Sequence, residues 1–178
     1  MAPSALDEKI LDEKIINLAT LVVREATDAH VSVASAESCT GGLVAGALTA
    51  VPGSSEVLLG SVVSYAISIK QKVLGVSKEI FDDPKLGAVS EPCACQMALG
   101  VQRLMGTTLA VSVTGIAGPS GAEPGKPVGT VWFGLSTPVG TRAHVMHFEG
   151  CRNAVRLQAV IHALELLRDG IVESSNSQ

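Results

Sequence analysis

The sequence predicts an α/β fold, a three-layer α/β/α sandwich around a mixed central sheet, and three observations carry that prediction. Short β-branched runs, "VSVASA" at 31–36 and "TLAVSVT" at 108–114, are bounded by glycine and polar turn residues, as strands buried on both faces are. They alternate with longer amphipathic or small-residue stretches, the order of strand-helix units in a parallel sheet. Two further strand-like runs, "TVWFGLST" and "RAHVMHFEG", are joined only through Pro138 to Gly140, so they form an antiparallel hairpin and make the sheet mixed.

Taken in order, the tandem "LDEKILDEKI" at 6–15 spans only two units, and Ile10, Ile15, Leu18, Leu21 and Val22 continue its apolar period as one amphipathic helix ending at His30. The strand at 31–36 passes through Gly41-Gly42 into a small-residue helix, "LVAGALTAV", closed by Pro52-Gly53. "EVLLGSVVSYAI" at 56–67 reads as the second strand and "KQKVLGV" as a turn of helix. The helix "SEPCACQMALGVQRLM" has Ser90 as N-cap and Pro92 in its first turn, and stops at Gly106. After the strand at 108–114 comes the glycine- and proline-rich loop at 115–129, then the hairpin, then the closing amphipathic helix "RNAVRLQAVIHALELLRDG". A single domain over 1–178 is expected, with its core at about 18–168 and a disordered tail at 173–178.

With 47% hydrophobic and 17% charged residues, the chain has the material of a folded core. No apolar run is long enough to cross a bilayer, and the N-terminus lacks the basic start and apolar core of an export signal, so a soluble cytoplasmic protein is expected, with no membrane partner. A net charge of −4, without a Lys/Arg run longer than two, argues against a nucleic-acid backbone as partner. Cys39, Cys93, Cys95 and Cys151 are read as reduced thiols, most of them buried, because their spacing fits neither a disulfide framework nor a zinc site.

Ser38 stands where a strand hands over to a helix, the place where open α/β sheets bind ligands and where free backbone amides favour an anion. The competing reading is that Ser38 or Thr40 caps the helix and the glycines permit a tight turn. A nucleophilic serine needs a base. The histidines offer no convincing dyad: His30 ends a helix, His162 lies within one, and His144 and His147 point to opposite faces of one strand, which disfavours a shared metal. Lys70, just past the second strand with Tyr65 five residues earlier, is better placed, though alone it reads equally as a surface lysine and Tyr65 as a core aromatic. The 115–129 loop is either a pocket wall of backbone amides or a plain surface hairpin. Arg152 and Arg156, four apart on one helix face, are either a phosphate clamp or a solvated edge.

Together, "AESCTGG", "VVSY" followed by Lys70 and "LGV", "GAVSEP", "SVTGIAGP", "KPVGTVWFG" and "RNAVRLQA" resemble the successive signatures of the CinA C-terminal domain family, the nicotinamide mononucleotide (NMN) deamidases. The resemblance runs over about 18–167. It implies hydrolysis of the NMN carboxamide to nicotinate mononucleotide and ammonia in pyridine nucleotide recycling, without metal or cofactor, by a homo-oligomer. It also implies that larger members carry an N-terminal domain resembling molybdopterin-binding proteins, for which this sequence shows no counterpart.

Residue by residue, the resemblance makes Ser38 the nucleophile, Lys70 its base and Tyr65 the tyrosine of the family's Tyr-Ser-Asn-x-x-Lys segment. The amides of Cys39, Thr40, Gly41 and Gly42, with Thr114, Gly115 and Gly118, become oxyanion and substrate contacts, and Arg152 and Arg156 phosphate contacts. The chain departs from the pattern at Tyr65-Ala66-Ile67-Ser68-Ile69-Lys70, where Ile67 replaces the asparagine. The alternative is a catalytically weak or inactive mononucleotide- or partner-binding module of the competence/damage-inducible type.

Overall fold

A computed structural model describes residues 5–175. In chain order the elements are α1 (Ala5–Asp28), β1 (Val33–Glu37), α2 (Leu43–Thr49), a 3₁₀ turn (Ser54–Glu56), β2 (Leu58–Val63), α3 (Ile67–Leu74), α4 (Lys78–Asp82), α5 (Glu91–Met105), β3 (Leu109–Gly115), β4 (Thr130–Thr137), β5 (Gly140–His147) and α6 (Arg152–Ser175). The sheet order is β2-β1-β3-β4-β5. β1 pairs in parallel with β2 and β3, and the β3–β4 and β4–β5 pairs are antiparallel, so the sheet is mixed as the hairpin signal predicts.

Helices cover both faces. On one, α1, α2 and α6 pack over Val33, Leu109, Val111, Val113, Val131 and Phe133. On the other, Leu74 of α3, Ile80 of α4 and Cys93, Met97 and Val101 of α5 pack over Ala34, Ala36 and Ala110. Small residues on this second face let α5 lie close to the strands. The C-terminus of α3 rests on α5 at Gly100, where an added Cβ would stand 2.0 Å from the Leu74 carbonyl oxygen. That contact holds the helix carrying Lys70 against the sheet.

Several boundaries differ from the sequence expectation. The first helix stops at Asp28, and His30 lies beyond it with a positive φ of 53°. β2 ends at Val63 rather than at Ile67: Ser64 and Tyr65 belong to neither strand nor helix, and the chain bends at Ala66, the N-cap of α3. The apolar residues Ile67 and Ile69 therefore belong to a helix. Strand and short helix share an apolar run at this junction, and periodicity over so few residues cannot separate them. The 3₁₀ turn and α4 were not foreseen. Ser90 occupies the N-cap position of α5, but its hydroxyl donates to the Gly87 carbonyl at 2.8 Å and caps nothing. α6 runs past Gly170 to Ser175, and of the tail expected to be disordered, 176–178 lie outside the described residues. Among the described residues no helix is long and apolar enough to cross a membrane.

Candidate active site

Ser38 follows directly on β1, its amide bonded to the Val113 carbonyl at 2.9 Å, so β3 fixes it. The chain then turns through Gly41 and Gly42, whose φ values of 65° and 99° suit glycine, into α2. The buried carboxylate of Glu37 holds this turn. Its Oε2 accepts from the Gly42 and Val44 amides at 2.9 and 3.1 Å, and its Oε1 from the Ala45 amide at 2.9 Å and from Ser35 Oγ at 3.2 Å. The helix amino end that sequence reasoning offered to a ligand anion is thus occupied by the protein's own carboxylate. Glu37 was missed as a site residue, although an acid just before a glycine turn and a helix is a start signal in its own right.

The amides expected to hold an oxyanion sort accordingly. Gly42 donates to Glu37 and Gly41 donates to the Ser38 carbonyl at 3.1 Å, so neither is free. Neither the Cys39 nor the Thr40 amide has an acceptor among the described residues. Arg156 holds the peptides that carry the Thr40 and Gly41 N–H groups: its Nε donates to the Cys39 carbonyl and its Nη2 to the Thr40 carbonyl, each at 3.0 Å. A trans peptide points N–H opposite to C=O, so the guanidinium at the Cys39 carbonyl turns the Thr40 N–H away from itself.

Lys70 is 1% exposed, which excludes the surface-lysine reading. Its Nζ stands 2.9 Å from Ser38 Oγ, 2.5 Å from the Ser64 carbonyl and 3.4 Å from the Tyr65 carbonyl. Burial pulls its pKa below the ordinary lysine value, and two nearby thiols, Cys93 and Cys39, push weakly the other way. Those thiols are themselves raised to about 11 by burial, so both stay protonated near neutral pH and neither competes with Ser38 as a nucleophile.

Tyr65 is not a core aromatic: it is 64% exposed, and its hydroxyl pairs with Arg152 Nη2 at 3.3 Å rather than with Ser38 or Lys70. Arg152 also donates to the Gly118 carbonyl at 2.7 Å, tying the glycine-rich loop to the site mouth. That loop is no loose hairpin. A bridge between Glu123 and Lys126 closes it, and Lys126 Nζ donates to the Leu86 carbonyl at 2.5 Å. Thr114 and Gly115 lie in the β3–β4 ladder opposite Trp132 and Val131, and Thr114 Oγ1 donates to the Ala88 carbonyl at 2.7 Å. Gly115 is glycine because a Cβ there would stand 2.7 Å from the Thr130 carbonyl oxygen. The Thr114 hydroxyl proton and two of the Arg156 N–H donors are thus spent on backbone carbonyls. Ile67 is 46% exposed, so it sits at the rim and not in the shell that desolvates Lys70.

Elsewhere the structure makes a histidine pair that sequence reasoning did not weigh: His144 of β5 and His162 of α6 meet through their Nε2 atoms, against Phe133. His147 lies on the other face, its Nδ1 3.2 Å from Thr130 Oγ1.

The model of the CinA C-terminal domain matches residues 15–171. The chain belongs to the CinA C-terminal domain family. Among curated CinA relatives, a "CinA-like protein" of Anaeromyxobacter sp. (strain K) is 48% identical over 90% of this chain, and a "putative competence-damage inducible protein" of Clostridium perfringens is 41% identical over 92%. The chain spans 39% of the length of each of these relatives. Among solved structures, a CinA superfamily protein of Klebsiella pneumoniae 700603 superposes with a TM-score of 0.85 at 34% identity, covering 89% of this chain and 98% of that one. The competence/damage inducible protein CihA of Agrobacterium tumefaciens superposes at 0.84 and 38% identity, covering 95% and 97%. These CinA neighbours bear out the α/β sandwich expected from the sequence.

Proposed function

We propose that this protein is an amidase that hydrolyses the carboxamide of NMN to nicotinate mononucleotide and ammonia through Ser38 and Lys70, without a metal. The observation that carries the reading is the environment of Lys70 Nζ: a buried amine whose hydrogen-bond partners among the described residues are one hydroxyl and two carbonyl oxygens. Such a shell suits a neutral amine, which donates to the two carbonyls and keeps its lone pair for the Ser38 hydroxyl proton. Lys70 takes that proton as Ser38 Oγ bonds to the carboxamide carbon. The Thr40 amide receives the developing oxyanion, aided by the neighbouring Cys39 amide. The C–N bond breaks as Lys70 returns its proton to the leaving nitrogen, and water then cleaves the acyl-enzyme.

Arg152 and Tyr65 at the mouth are the groups we assign to the nucleotide end of the substrate, Arg152 to its phosphate. The protein acts as a homo-oligomer in this reading. Supporting that, β2 is an edge strand and exposes Leu59 and Val63.

The test is ammonia release from NMN by the purified protein and its Ser38→Ala variant. The variant is expected to lose ~10³-fold or more, the usual cost of removing a covalent nucleophile, with an unchanged melting temperature. A variant keeping more than about a tenth of the activity would make Ser38 a turn residue only.

A further inference from the structure

Four buried side-chain oxygens have no hydrogen-bond partner among the described residues: Thr40 Oγ1, Ser64 Oγ, Thr107 Oγ1 and Ser174 Oγ. An unpaired buried hydroxyl costs ~1–3 kcal/mol, so each needs a reason to persist. Thr107, just before β3, and Ser174, in the last turn of α6, lie at the end of the sheet away from Ser38. Thr40 is in the nucleophile turn, with its carbonyl held by Arg156 and no contact to the lysine. Ser64 is different. Its amide donates to the Glu37 carbonyl at 2.8 Å and its carbonyl accepts from Lys70 Nζ at 2.5 Å, so its backbone is pinned between nucleophile strand and base while its hydroxyl stays open.

Covalent geometry keeps a serine Oγ within about 4 Å of its own carbonyl oxygen, so at most roughly 6.5 Å separates Ser64 Oγ from Lys70 Nζ. A water hydrogen-bonded to both, at ~2.8 Å each, bridges most of that span.

We propose that Ser64 Oγ holds the water that hydrolyses the acyl group on Ser38, an inference that rests on the amidase reading above. The water oxygen bonds to the acyl carbon while one of its protons passes to the neutral Lys70 amine. The carbon–Oγ bond to Ser38 then breaks and Lys70 returns the proton to that oxygen. The acid product gives up its own proton to solvent. Ser64 accepts a hydrogen bond from the water, or donates one to it, and so aims its lone pair at the carbon. Acylation needs no such water, so the hydroxyl acts in the second half-reaction only.

The experiment compares the wild type with Ser64→Ala, Ser64→Thr and the distant control Ser174→Ala, using rapid-quench kinetics and mass spectrometry of the Ser38 peptide. Two acyl donors are used, NMN and p-nitrophenyl acetate. Ser64→Ala is expected to release about one equivalent of ammonia or nitrophenolate in a burst and then turn over roughly 10- to 100-fold more slowly than wild type, with the acyl mass on Ser38. Its melting temperature stays close to that of wild type, since no hydrogen bond within the described protein is lost. Ser64→Thr, which keeps the hydroxyl, recovers most of the rate, and Ser174→Ala matches wild type.

Steady-state turnover of Ser64→Ala within about threefold of wild type overturns the proposal, and so does an equal loss in burst and steady state without an adduct. A wild type silent toward NMN but acetylated on Ser38 by the ester removes the substrate assignment and leaves the Ser64 comparison decisive. A wild type that never carries an acyl group on Ser38 overturns both.

Discussion

Replacing Arg156 with methionine separates the two roles open to that residue. Its fork makes two charge-assisted hydrogen bonds, to the Cys39 and Thr40 carbonyls, each 3.0 Å long and partly buried. Such bonds are worth about 1.5–3 kcal/mol each when desolvated; halving for solvent competition leaves about 1.5–3 kcal/mol for the pair, or roughly 10- to 150-fold. The side chain touches the turn that presents the Thr40 amide, so this energy appears in oxyanion stabilisation, a transition-state interaction. Arg156→Met is therefore expected to lower kcat for NMN and for nicotinamide riboside by the same factor, leaving KM and the preference between them unchanged. The assay is steady-state ammonia release with both compounds. A rise in KM for NMN alone, with kcat intact, would refute the reasoning and show that Arg156 grips the phosphate.

Three further outcomes are expected. Because burial lowers the Lys70 pKa and the base must be neutral, the rate should rise with pH through an ionisation below the ordinary lysine value of about 10.4, and Lys70→Ala should abolish it; a rate that rises only through an ionisation at or above that value would remove Lys70 as the base. Burial also lowers the pKa values of His144 and His162, with their mutual repulsion and Arg142 adding to the effect on His144, and Lys14 to that on His162; Glu165 and Asp169 oppose. The unfolded chain then binds more protons below pH ~6.5, so melting temperature should be level above that pH and fall below it, and His162→Phe should flatten the fall. Ile67→Asn, at the rim, should change the specificity constant for NMN by no more than about tenfold, the worth of one modest hydrogen bond; a silent wild type switched on by this change would mark a degenerate binding module.

Much of the candidate site lay in the sequence because its parts are punctuated locally. The β-branched run at 31–36, the glycine pair after it and the small-residue helix specify a strand, a left-handed turn and a helix without reference to anything distant, and so place Ser38 at a strand end. The hairpin at Pro138 to Gly140 likewise follows from turn chemistry, and with it the mixed sheet. What failed locally was the junction at Ser64 to Ile67, where one apolar run serves both a strand and a helix.

Partnership was decided only by the fold. Glu37 and the amide of Ala45 are eight residues apart, yet their bond takes the helix end that sequence reasoning gave to a ligand. Arg156 reaches the nucleophile turn over 117 positions, a contact that its spacing from Arg152 does not reveal. His144 and His162 pair across β5 and α6, which periodicity on either element cannot reveal. Residue type and spacing fix which groups a segment offers and which face it shows. Whether a lysine is solvated or buried, and whether a hydroxyl is satisfied or left open, depends on what the other elements bring against it. The sequence determined that Ser38 stands at a strand end and Lys70 just past the second strand; packing β1, β2, α3 and α5 together put Nζ 2.9 Å from Oγ and buried the lysine, which disfavours its charged form.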